Sequence, residues 1–247
     1  MKNLFRKIFG AGAIAAASTS AVSETVEYET KVEKTSGQPA IVIRISDKAI
    51  PEQDVKVILE GFEEQIASGV RFKDEETLQL GFMLNQFKKL DDGRLVLEEP
   101  DMSSFPINFI PSMNYTFKTL RNQKDVVESV GNDVELNFPN IRQAIVVHKD
   151  YKSSAAVMLE RINPEDSQSG WWVHVQGDSS PENYSLTSLY QFALERPDLV
   201  HYLALPVGAK AYDIKGSPIR ISLNDREITF QDGSYLSELN KKLKVKK

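Results

Sequence analysis

Residues 39–69 read PAIVIRISDKAIPEQDVKVILEGFEEQIASG, and the periodicity changes midway. Ala40-Ile41-Val42-Ile43-Arg44-Ile45 is crowded with β-branched side chains, which suit a pleated surface and predict a strand. Pro51 then presets the φ angle of an opening helical turn. Beyond it Val55, Ile58, Leu59, Phe62 and Ile66 recur at spacings of three and four, lining one stripe of a helix that Gly69 stops. A strand followed at once by an amphipathic helix places the chain among mixed folds.

Downstream, Leu78, Leu80, Phe82 and Leu84 alternate at period two. The run reaches Asp91-Asp92-Gly93 and resumes at Leu95-Val96-Leu97, which predicts a β-hairpin. Pro100 and Pro106 bracket an irregular crossing, after which Met113, Phe117, Leu120, Val127 and Val130 predict a second helix ending at Gly131. The polar stretch 132–140 connects this β-α-β-β-α module to a second one, opened by the β-branched run 141–147. There, residues 155–159 and 171–175 read as strands around a loop of Asn163, Pro164, Glu165, Asp166 and Ser167. Ser185 is placed to cap a helix with Leu186, Leu189, Tyr190, Ala193 and Leu194 on its apolar face and Pro197 as its stop. Short strands follow at 211–214, 218–221 and 227–230.

The expected fold is therefore α+β: two small mixed modules, each a short, mostly antiparallel sheet packed with one or two helices. The boundaries read 39–135 for the upstream module, 139–230 for the second, and 231–247 for a basic C-terminal tail. Residues 18–38 are mostly Ser, Thr, Glu and Lys and read as a tether, so that 1–38 forms a flexible or targeting segment and folding begins near Pro39. Lys2, Arg6 and Lys7 precede a short apolar stretch, 8–17, that ends in small residues, as a secretory signal does. That stretch is rich in Gly and Ala, with Leu4, Phe5 and Phe9 interleaved among the charges, which favours a cytoplasmic protein. Cleavage of 1–23 as a signal, with a periplasmic or exported protein, is the alternative.

A formal net charge of -5 gives no general attraction to nucleic acid or an anionic membrane, and no segment has the unbroken apolar length of a membrane span. The absence of cysteine removes disulfides, thiolate nucleophiles and thiolate metal sites together. Gly10-Ala11-Gly12-Ala13-Ile14-Ala15 matches a dinucleotide-binding fingerprint formally, but no strand precedes it and no βαβ unit follows. His148, His174 and His201 lie in three separate segments and form no metal pair at helical spacing. Carboxylates at Glu63-Glu64, Asp74-Glu75-Glu76, Asp91-Asp92 and Glu98-Glu99 repel one another and read as solvated faces and turns. No catalytic residue, cofactor site or metal site is expected. Trp171-Trp172 is more informative, because strand alternation sends the two rings to opposite faces, one suited to a core and one to an interface.

Asp166, then Ser169-Gly170-Trp171, Gly177-Asp178, Ser188-Leu189-Tyr190 and Leu205-Pro206-Val207-Gly208 together resemble the immunity protein 33 domain, a bacterial family earlier catalogued as a domain of unknown function. The resemblance covers about residues 140–213. The family tends to join Asp, Ser, Gly and Trp directly, whereas here Ser167-Gln168 intervenes and lengthens the loop. Thr77-Leu78-Gln79-Leu80-Gly81, Glu98-Glu99-Pro100-Asp101, Pro106-Ile107 and Gln123-Lys124 with Glu128-Ser129 resemble the module that often precedes this domain. The resemblance implies an immunity protein of a polymorphic toxin system, whose partner is a cognate toxin and which carries no catalytic residues. Its candidate binding or structural residues are Asp166, Ser169, Gly170, Trp171, Trp172, Gly177, Asp178, Tyr190, Pro206 and Gly208. Two alternatives stay open: an enzyme or small-ligand protein with a site between the modules, drawing on His148, His174 and Asp166, and an exported accessory protein.

Overall fold

The computed structural model describes residues 24–32 and 36–245. The glycine-rich fingerprint and the candidate signal at 1–23 lie outside the described residues. The chain is α+β and divides into two compact units, Met1–Lys118 and Thr119–Lys247.

In the first unit, β1 (Val26–Glu29), β2 (Ile41–Ile45), α1 (Glu52–Ala67), β3 (Thr77–Leu80), β4 (Met83–Lys89), β5 (Leu95–Pro100) and β6 (Phe109–Ile110) lead into α2 (Asn114–Val130), whose first turns close the unit. The sheet runs β1-β2-β5-β4-β3, with β6 paired to β5. Only the β2–β5 pair is parallel among these. The stripe predicted for α1 is buried: Val55, Ile58, Phe62 and Ile66 pack with Ile41, Ile43, Phe72, Phe87, Leu97 and Phe117 in one core. At the end of α1, Gly69 takes φ 99°, and Val70 N–H returns to the Gln65 carbonyl, so the turn requires a left-handed residue.

Two expectations change here. Residues 18–38 were expected to be a tether, yet Val26–Glu29 is a strand that extends the sheet beyond β2. Val-Glu-Tyr-Glu alternates: Tyr28 packs against the core, and Glu27 and Glu29 pair with Arg44 and Arg94. The run from Leu78 to Leu84 is also interrupted, because Gly81 at φ 60° turns the chain between β3 and β4 and makes two hairpins from one alternating segment.

The second unit contains the rest of α2, then β7 (Ala144–His148), β8 (Ala156–Arg161), β9 (Gln168–Val175), β10 (Tyr184–Ser188), α3 (Leu189–Glu195), a 3-10 segment (Pro197–Tyr202), β11 (Ala209–Ile214), β12 (Arg220–Leu223), β13 (Arg226–Glu227) and α4 (Tyr235–Val245). Its seven strands are ordered β10-β7-β9-β8-β11-β12-β13, with β7–β9 the parallel pair. Leu159, Val173, Trp171, Leu189, Phe192, Leu199, Leu203 and Ala211 are buried in this unit.

Here too the structure corrects the sequence reading. Ser185 does not cap a helix; residues 184–188 pair antiparallel with β7, and Ser188 Oγ accepts the Gln191 N–H to cap α3. The C-terminal tail expected at 231–247 contains α4. Leu236 is buried with its N–H on Ser129 Oγ, and the Asn240 amide bonds both the N–H and the carbonyl of Ile219. The density of lysine obscured the spacing of Leu236, Leu239 and Leu243.

Candidate protein-binding face of the second sheet

β8 and β9 face each other across the loop that the sequence resemblance emphasised, and most of the residues singled out there build the scaffold. Gly170 takes φ 77°, and a Cβ at that position would stand 2.3 Å from the Ile162 carbonyl oxygen, so only glycine lets the strands close. Ser169 donates its hydroxyl to the Ala144 carbonyl at 2.8 Å. Trp171 is buried beneath the sheet and donates Nε1–H to the Leu203 carbonyl at 3.1 Å. The Arg161 guanidinium lies 5.4 Å from the Trp171 ring and donates to the carbonyls of Asn137, Leu203 and Leu205. Burial pushes its pKa down to about 10, which leaves it charged at neutral pH.

The remaining motif positions surround this node. Gly208 at φ 87° donates its N–H to Arg161 and accepts from Asn224, and a Cβ would meet the Asn224 side chain at 2.3 Å. Pro206 accepts from Ala209 in the same turn, and Tyr190 is buried with its N–H on the Ile141 carbonyl. Gly177 at φ 90° and Asp178 form the turn after β9. Asp178 accepts from Ser180 N–H and the Asn183 amide. The Ser180 N–H above all, then His148 and Asn183, hold its carboxyl down to about 2. Asp166 is exposed at φ 47° in the loop before β9, and its side chain joins neither histidine.

Alternation along β9 places Trp172 and His174 on the opposite face from Trp171, half-buried rather than enclosed. The Trp172 and His174 rings stack at 6.0 Å between centroids. Tyr184 from β10 packs on both, and its hydroxyl meets His174 Nδ1 at 2.8 Å. His148 from β7 lies edge-on to Tyr184; its Nδ1 accepts the Asp150 N–H, and its Nε2 stands 3.2 Å from Asp178 Oδ2. On the other side Glu160 from β8 reaches His174 Nε2 at 3.4 Å and Lys210 from β11 at 3.5 Å. Arg220 then stacks over Tyr212 at 5.2 Å, beside a small depression lined also by Ser222, Asp225 and Glu227.

Burial keeps His174 below its ordinary pKa and the Tyr184 hydroxyl above its own, so at neutral pH both are uncharged and turned toward each other. Aromatic rings whose polar tips are already oriented, interleaved with Glu160, Lys210 and Arg220, present a rigid amphipathic surface of the kind that anchors protein partners. Among the described residues no group of three or more His, Cys, Asp or Glu side chains is placed to hold a metal ion.

Residues 122–215 match the family model of the Imm33-like domain. Over these residues the second unit is similar to the Imm33-like domain. The match begins inside α2, upstream of the polar connection at 132–140, because Gln123 from that helix donates to the Val200 carbonyl and is buried within the unit. No curated protein and no solved structure matches the chain. Of the residues expected from sequence, the fold gathers Ser169, Gly170, Trp171 and Gly208 around Arg161, whereas Trp172 and Asp178 join the outer face of the second sheet. His174, Tyr184, Glu160, Lys210 and Tyr212 complete that face and were not nominated together. They come from four strands, and only the strand order makes them neighbours.

Proposed function

We propose that this chain is an immunity protein that neutralises a cognate bacterial toxin by stoichiometric binding, without catalysis. The Imm33-like match over 122–215 carries the reading. The outer face of the seven-stranded sheet, centred on Trp172, His174 and Tyr184, is the toxin-binding surface in this proposal. A half-buried aromatic cluster held in place before binding loses little side-chain freedom on association, which is how tight inhibitory interfaces are built. The toxin acts on some other molecule, and the immunity protein removes it by mass action.

The compartment in this proposal is the cytoplasm; among the described residues no helix is long and apolar enough to cross a membrane. Mass spectrometry of the native N-terminus checks for removal of residues 1–23. The functional test co-expresses the chain with the product of the reading frame adjacent to its own and titrates the two purified proteins by calorimetry. The expected result is rescue of growth and one binding site per chain. Trp172→Ala should weaken binding by about 2 kcal/mol or more, as an aromatic anchor does, and should reduce rescue accordingly. Absence of both rescue and complex overturns the proposal.

A further inference from the structure

The two edges of the seven-stranded sheet are unlike each other. β13 ends one side with only Arg226 and Glu227, a short charged edge of the kind that discourages further pairing. β10 ends the other side with Tyr184-Ser185-Leu186-Thr187-Ser188, which has no charge, proline or glycine, and Leu186 is 60 % exposed. Among the described residues, the strand has no charge or proline of the kind that usually protects an edge, and no further strand pairs with it.

The free backbone groups of β10 follow from its register. Leu189 N–H donates to Gln143, and the Asn183 carbonyl accepts from Lys149, so the odd-numbered residues face β7 and Tyr184, Leu186 and Ser188 face outward. Tyr184 N–H is already used by the Pro181 carbonyl. The Ser188 carbonyl is that of the helix N-cap and accepts the first bond of α3. What remains outward is the Tyr184 carbonyl, both groups of Leu186 and the Ser188 N–H: equal numbers of donors and acceptors, arranged symmetrically about Leu186.

We propose that β10 pairs antiparallel with β10 of a second copy of this chain, across a two-fold axis at Leu186. In that register Leu186 of each copy exchanges both of its bonds with Leu186 of the other, and each Ser188 N–H reaches the other copy's Tyr184 carbonyl. Every outward group is satisfied and no like charges meet, because β10 has none. The two exposed leucines cover each other on the outer face. A heterologous strand would need its own matching set, whereas a second copy supplies it by symmetry. The proposal is independent of toxin binding and concerns the state of the free protein.

The test is sedimentation velocity on the full chain from about 1 µM to about 1 mM, a range that covers weak as well as firm association. A concentration-dependent dimer is expected, and Leu186→Lys should weaken it at least about tenfold by placing two ammonium groups together. Leu186→Pro, which removes only an outward N–H and is tolerated on an edge, should do the same if the lysine variant fails to fold. The chain has no cysteine, so Leu186→Cys gives a single reporter. Directly opposed, bonded residues lie about 5.5 Å apart at Cα, within disulfide reach, so mild oxidation should yield a dimer that a reductant reverses. Ile162→Cys, also exposed, should not cross-link at the same rate. A monomer throughout the range, as when another segment of this chain covers the edge, overturns the proposal. So does a dimer that survives both substitutions at Leu186.

Discussion

Replacing Trp171 by alanine removes a buried indole and the shorter of the two hydrogen bonds to the Leu203 carbonyl, so a loss of about 3 to 5 kcal/mol in chemical denaturation is expected. Trp172→Ala should shift the melting temperature little, because its ring is half-buried on the outer face. Reversal of the two effects would put the strand register off by one residue. Gly170→Ala should cost more than about 2 kcal/mol, since the added methyl meets a backbone carbonyl that has no rotamer to escape into. His201 sets a pH dependence. Burial pushes its pKa down to about 4, against about 6.5 in an unfolded chain, so between those values the unfolded state binds more protons. Stability therefore falls as pH drops from about 6.5 to about 4 and changes no further through this group, a loss of about 2 kcal/mol after allowing for its partial exposure. Denaturation of His201→Gln at pH 7.5 and pH 4.5 should show a smaller difference than the unsubstituted chain; equal differences would exclude this histidine as the source. Asp178, held at about 2, adds a separate loss only below the ordinary carboxylate range.

At the scale of elements, Glu99 holds the start of α2. It is buried at the end of β5, and its carboxylate accepts from Ser112 Oγ and from the N–H groups of Tyr115 and Thr116, two of the donors that a helix start leaves unpaired. Glu99→Ala should destabilise by about 2 to 3 kcal/mol, measured by urea denaturation, and an effect below about 0.5 kcal/mol would show that another group takes over the cap. Elements with a strong period of their own, α1, α2 and the strands from β7 to β9, were legible in the sequence. Those defined by a distant partner were not. Residues 184–188 have a sequence that a helix start could also use, and only β7 makes them a strand. β1 owes its state to Arg44, Arg94 and the core around Tyr28, all downstream of it. The candidate face was legible at Trp172, where period two alone gives the direction, and at Asp178 in the turn after the strand. Its neighbours Tyr184, His174 and Glu160 converge through strand order, which local spacing does not encode.

For the whole molecule, the polar stretch 132–140 suggests a cut that the contacts within the second unit argue against. Gln123 and Ser129 of α2 bond Val200 and Leu236, so the second unit needs the latter half of that helix. A fragment of residues 112–247 should therefore unfold cooperatively on heating, while 139–247 should not; equal cooperativity in both would make the helix dispensable. The unequal edges of the seven-stranded sheet have a further consequence. In polymer terms the sheet is monofunctional: β10 is one reactive end, and β13, two charged residues long, is a capped one. Coupling through β10 consumes that end in both copies at once, so growth along the hydrogen-bonding direction terminates after a single step, and a raised protein concentration drives pairing rather than fibre elongation from this sheet.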